Sequence, residues 1–119
     1  NGSSKAEALH IAQGALERVG LSEHRAEDPA HLMPAEAQLV ALARALAVSP
    51  AVILADEPTG RLDTEAGDRL LRLLRRARDE WGQSVLLTTQ NIRVAAYADR
   101  IVHLRDGVIF DVTPFNEAP

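Results

Sequence analysis

The chain has 119 residues and a formal net charge of −4, enough for one domain with a modest core and without the basic surface that holds nucleic acid. Cysteine is absent, so no disulfide framework exists. No secretory leader is read at its start, and no apolar run approaches the ~18 residues that span a bilayer.

Residues 1–4 read as a tag or loop remnant. Residues 5–19 predict an amphipathic helix with Ala8, Ala12, Leu16 and Val19 on one face and Gly20 as its stop. The stretch 21–33 is irregular, rich in charge and broken by Pro29. A second helix is predicted from Pro34 to about Val48, with proline at its first position, where the missing N–H does no harm. It is apolar almost all round (Leu39, Val40, Leu42, Ala45, Leu46), which predicts packing on both sides. A strand at 52–55, a turn and a helix over 64–81 follow. That helix carries Leu70, Leu74, Ala77 and Trp81 on one stripe. A strand at 84–89 and a short helix at 92–98 come next. The chain closes with strands at 100–105 and 108–112 around Asp106-Gly107, a strong hairpin signal. Residues 114–119 are expected to be a frayed tail. Strand–helix–strand alternation predicts an α/β fold, with a parallel sheet and a C-terminal antiparallel hairpin.

The most informative stretch is Val52-Ile53-Leu54-Ala55-Asp56-Glu57-Pro58-Thr59-Gly60, followed at once by Arg61-Leu62-Asp63. Four apolar residues run into two acids, as when a buried parallel strand delivers carboxylates to its C-terminal edge. Read alone, it is equally a core strand ending in an Asp-Glu-Pro turn. Two further stretches extend the pattern: LLTTQN at 86–91 and AAYADRIVHLRDGVI at 95–109. Together they resemble the C-terminal half of an ABC-transporter ATPase domain, in wording like its exporter and lipoprotein-release branch. The resemblance covers residues from roughly 5 to 113. It implies a partial P-loop ATPase fold of the ABC type, with a helical and signature segment at 5–50. Residues 51–113 would form the catalytic core from the Walker B strand to the last strands.

Site residues follow from the resemblance position by position. Asp56 would stand near a magnesium ion, through water, and Glu57 would act as the catalytic base. Asp63 falls on the aspartate that reaches across the family's dimer interface, though it also suits the N-cap of the helix starting at Thr64. Leu32-Met33-Pro34-Ala35-Glu36 falls on the signature Leu-Ser-Gly-Gly-Gln, which faces nucleotide held by the other subunit. Only the leucine matches. Met33 has no hydroxyl, Pro34 has no N–H, and Glu36 adds negative charge, so this cofactor-facing site reads as having lost its contact with ATP. Gln90 takes the place of the switch histidine. It can donate a hydrogen bond but cannot carry positive charge.

Three parts of the family's site are not read in this chain: the aromatic that stacks on adenine and the glutamine loop, both expected upstream of residue 1, and the phosphate loop. ATP binding needs a G-x-x-x-x-G-K-S/T loop whose N–H groups and lysine cradle the phosphates. The single lysine is Lys5, preceded by Ser4. ATP and magnesium are therefore expected only together with a Walker A half. The remaining arginines, Arg69, Arg72, Arg75, Arg76 and Arg78 among Asp68, Asp79 and Glu80, read as a solvated, ion-paired face. The four histidines have no metal-ligand spacing.

The resemblance implies an ATPase subunit, degenerate in signature and switch, that couples ATP to a membrane permease; whether this chain is an enzyme stays open. An alternative is a truncated, non-enzymatic module acting as a structural or regulatory partner. A third class, the repair and chromosome-maintenance ATPases, shares this lobe but fits the acidic charge and the absence of heptads poorly. Expected partners are a permease and a second ATPase subunit or an N-terminal half, with no nucleic acid. The implied location is cytoplasmic, peripheral to the inner membrane. In such folds the phosphate-loop strand separates the strands at 84–89 and 100–105. Without it they are expected to close on each other, or to pair between two copies of the chain through open sheet edges.

Overall fold

The computed structural model describes residues 4–24 and 28–114. Helix α1, Lys5–Arg18, starts where the Ser4 hydroxyl accepts from the Glu7 N–H at 3.1 Å, and it ends at Gly20, whose φ of 79° suits glycine. Its buried residues lie at its C-terminal end: Ala15 and the cap Val19 are in the core, and Leu16 is half-buried. Ala8 and Ala12 are exposed, which corrects the predicted apolar face. Helical periodicity tells which side can be buried, whereas the neighbouring helix decides how much of it is. The irregular stretch holds two single-turn 3₁₀ helices, Ser22–His24 and Pro29–His31, and Leu21 anchors it at 2% exposure.

Helix α2, Pro34–Leu46, packs on α1 and buries Leu39, Leu42, Ala43 and Leu46. Ala37, Ala41 and Arg44 are exposed, so α2 is covered on one broad side and not on both. Strand β1, Val52–Asp56, pairs in parallel with β2, Ser84–Thr88, in a register that sets Ile53 beside Val85 and Asp56 beside Thr88. Helix α3, Thr64–Asp79, connects them and buries Leu70, Leu71, Leu73, Leu74 and Ala77. It stops two residues short of Trp81, which lies half-buried beyond it. A single turn, α4 (Ile92–Ala95), is shorter than expected, since Tyr97 and Ala98 belong to turns. Strands β3, Arg100–Arg105, and β4, Val108–Pro114, form the antiparallel hairpin. Asp106 and Gly107 both have positive φ, 51° and 76°, as a two-residue hairpin turn requires. β4 includes Pro114, which was expected in the tail; residues 1–3 and 115–119 lie outside the described residues.

Strand pairing stops short of a single sheet. β1–β2 and β3–β4 are two separate two-stranded sheets, so closure of β2 on β3 does not occur. Between them lies a cleft of about 320 Å³ lined by Val85 and Leu87 on one side and Val102 on the other. The period of two in the strands sends Ile53 and Ala55 to the core. Leu54 and Leu86 lie on the opposite face, 75% and 63% exposed. One face of the parallel pair is thus covered by helices and the other is bare.

Candidate functional site

Parallel strands bring their C-terminal ends to one edge, the usual place for a site in α/β folds. Here that edge carries Asp56, the last residue of β1, and Thr88, the last of β2, side by side. The Thr88 hydroxyl donates to Asp56 Oδ1 and accepts from the Glu57 N–H at 3.1 Å. The same N–H also reaches the Thr88 carbonyl oxygen at 3.1 Å. Glu57 has φ of 45°, left-handed backbone that costs a non-glycine residue roughly 1–2 kcal/mol. The chain turns sharply there. Gly60 N–H closes the turn on the Glu57 carbonyl at 3.1 Å, and a Cβ on Gly60 would lie 3.4 Å from that oxygen.

A second clasp comes from α2. Gln38 Nε2 donates to the carbonyl oxygen of buried Pro58 at 2.6 Å. Gln38 lies on the same helix as Pro34, Ala35 and Glu36, just past its first turn, so α2 is tied directly to the acid turn. At the start of α2, Met33 is 65% exposed and Glu36 Oε1 accepts from the Met33 N–H at 3.1 Å. Pro34 occupies the first helical position. The carboxylate of Glu36 is thus engaged in capping.

Asp63 is the N-cap of α3, accepting from the Ala66 N–H at 2.8 Å. It lines a small cavity of about 90 Å³ together with Thr59, Asn91 and Arg93. Asn91 caps α4 through the Arg93 N–H at 2.9 Å. Between Thr88 and Asn91, Gln90 is exposed and its side chain has no hydrogen-bond partner among the described residues. The acids, Gln90 and the start of α2 thus belong to neighbouring segments, while Asp63 has a structural duty of its own. Sequence reading passed over Gln38 and Thr88. The one signal for Thr88 was a hydroxyl at the end of an apolar strand, opposite an acid.

For magnesium and ATP the chemistry is half complete. Asp56 Oδ2 and the Glu57 carboxylate have no side-chain partner, so both can meet a hydrated metal or a water. Among the described residues no three His, Asp or Glu side chains converge into a metal cage. One carboxylate suits a magnesium ion already carried by phosphates, which is how that ion is usually held in phosphoryl transfer. No glycine-rich cradle with its lysine accompanies the acids.

The family described as ABC transporter matches residues 3–60. A "Macrolide export ATP-binding/permease protein MacB" from Shewanella sp. strain ANA-3 is 41% identical over 113 residues, 95% of this chain and 17% of that protein. A "Lipoprotein-releasing system ATP-binding protein LolD" from Syntrophotalea carbinolica is 42% identical over 106 residues, 89% of this chain and 47% of that protein. Among solved structures, the dimeric ABC transporter cassette MJ0796 superposes with a TM-score of 0.82 at 36% identity, covering 97% of this chain and 50% of that one. The same cassette in a post-hydrolysis state, bound to ADP and Pi, gives 0.82 at 35% identity. The chain spans about half the length of the LolD protein and of the MJ0796 cassette, and less than a fifth of the MacB protein.

Proposed function

We propose that this chain, an ABC-transporter ATPase segment homologous to the MacB and LolD ATP-binding proteins, supplies the acid half of a nucleotide site and drives a membrane permease once a phosphate-binding half is present. The observation that carries the reading is the Asp56-Glu57 turn, clasped at the common C-terminal edge of β1 and β2. In it Asp56 would help hold, through a water, a magnesium ion borne by the nucleotide, and Glu57 would serve as general base toward the attacking water. Such a metal, when bound, would neutralise charge on the phosphates. Gln90 would orient that water by hydrogen bonding, without the charge that a histidine would bring. Asp63 adds contact across a subunit interface to its capping role. Residues 5–50 form the helical and signature part, and 51–113 the core.

The bare face of β1–β2 and the open cleft beside β2 support a covering partner, either an N-terminal half or a second copy of the chain. Among the described residues no helix is long and apolar enough to cross a membrane. Attachment at the cytoplasmic side of the inner membrane, through a permease, is part of the same reading.

The test is reconstitution. The chain is mixed with a polypeptide carrying the phosphate-loop half of a LolD-type protein, and Mg-ATP binding and hydrolysis are measured. Binding in the mixture and none by the chain alone is the expected result; micromolar affinity of the isolated chain sinks the reading. A regulatory, non-enzymatic role is favoured by one observation, the methionine and proline at the start of α2. Binding without hydrolysis in the mixture selects that role.

A further inference from the structure

We infer that Thr88 is a positioning residue for the acid pair: its hydroxyl orients the Asp56 carboxylate and holds the left-handed turn at Glu57, linking both acids to the strand that leads to Gln90. The inference rests on the roles proposed for Asp56 and Glu57. Its geometric part stands without them.

A threonine at the end of a strand needs no special account, because β-branched residues favour strands. Valine would serve that purpose equally well. What the hydroxyl adds is two bonds, and both go to the acid turn. A hydroxyl has one proton to give. That proton goes to Asp56 Oδ1, so the Glu57 N–H must be received by an oxygen lone pair. Oδ1 is thereby committed to the protein, while Oδ2 remains for a metal-bound water. The carboxylate is fixed in rotation by a neighbouring strand and not by its own.

Glu57 depends on the same group. Its N–H is shared by the Thr88 hydroxyl and the Thr88 carbonyl, each at 3.1 Å. Two acceptors on one residue define the direction of that amide, and with it the turn that gives φ of 45°. In a regular strand adjacent side chains alternate between faces, which would separate the two acids. The turn breaks that alternation immediately after Asp56. Gln90 lies two residues beyond Thr88, so any shift of the strand end moves the switch position and the acids together.

The experiment uses the isotopically labelled 119-residue chain and nuclear magnetic resonance, with Thr88→Val and Thr88→Ser. Valine removes the hydroxyl at nearly constant shape; serine keeps it. Three local readings are taken: hydrogen exchange of the Glu57 amide, the coupling pattern of a positive φ at Glu57, and the carboxyl carbon resonance of Asp56. Thr88→Val is expected to speed Glu57 exchange about tenfold, erase the positive-φ pattern and move the Asp56 resonance, with the Ile53 and Leu70 amides unchanged. Thr88→Ser is expected to restore all three. Retention of the turn and of the Asp56 resonance in Thr88→Val overturns the inference. So does a Thr88→Ser chain that behaves like Thr88→Val, since the methyl group and not the hydroxyl would then matter. If Thr88→Val fails to fold, Thr88→Ala takes its place as the chain without the hydroxyl, and the same three readings are compared with Thr88→Ser. None of these readings requires nucleotide, so a failed reconstitution leaves them intact and counts only against the ATPase reading.

Discussion

Arg75 Nη1 donates to Asp99 Oδ1 at 2.9 Å, joining the last turns of α3 to the segment that leads into β3. The same nitrogen donates to the Tyr97 carbonyl oxygen at 3.2 Å, and Arg78 Nε lies 3.1 Å from Asp99 Oδ2. β3 has no strand partner in β2, so these bonds take over part of the work that sheet pairing does elsewhere. The arginines are therefore more than a solvated face. Arg76–Glu80 and Arg75–Asp79 fit that description as pairs four residues apart on α3, whereas Asp99 makes Arg75 and Arg78 cross to another segment.

Asp99→Ala is expected to loosen the hairpin from α3 at a cost of roughly 1 kcal/mol, the two groups being only partly shielded from solvent. Limited proteolysis at the Asp106-Gly107 tip is the direct measure. An unchanged cleavage rate argues that the hairpin is held by apolar contacts alone.

Acid should weaken the same network. The Asp79 carboxyl is held below its ordinary value, first by the hydrogen bond from Arg78 and then by the charge of Arg75, with desolvation acting the other way. A group whose folded pKa is depressed contributes stability above its unfolded pKa and loses it as pH falls through the folded one. That window lies below about pH 4. Arg75 is shifted upward, first by its hydrogen bond to Asp99, so it stays protonated throughout this range and the loss comes from its carboxylate partners. Melting curves of wild type and Asp79→Asn should differ at neutral pH and converge as the pH drops through that window. Added salt should reduce the gap, because the pairs are exposed.

Gln38→Ala removes the donor that holds the Pro58 carbonyl, at a cost of about 1 kcal/mol. Gln38→Glu should cost more, since it sets a carboxylate against a carbonyl oxygen. Urea midpoints read both. Equal stability of all three chains would mean that the clasp contributes nothing.

In a reconstituted ATPase, Gln90→His alone should not restore the turnover usual for the family. Met33 and Pro34 remain at the start of α2, without the hydroxyl and N–H that the signature would offer. A single variant that reaches full rate would remove the signature from positions 33–36.

The isolated chain should self-associate at micromolar concentration through its uncovered strands. Leu86→Lys should reduce that association by placing charge on the bare face. Light scattering reads the mass directly. A wild-type monomer at those concentrations contradicts the pairing of open edges.

Local signals carried much of the fold. The apolar runs placed β1 and β2, and Asp106-Gly107 placed the hairpin, because a turn with two positive φ values leaves a signature in residue type. Asp63 could be read as a cap for the same reason. Burial was harder. The exposure of Ala8, Ala12 and Ala41 depends on where other helices end, which periodicity does not encode. The acids were legible from the strand that delivers them. Thr88 and Gln38 were not, since they act on residues 32 and 20 positions away in sequence, and register and helix packing must exist before such pairs can be recognised.

The uncovered side of β1–β2 also bears on the chain's fate in a cell. Leu54 and Leu86 are the kind of surface that chaperones bind and proteases follow. Abundance would then track the supply of whatever shields that surface: copies with a companion persist, and surplus copies are cleared. Stoichiometry could be balanced in this way without any change in transcription.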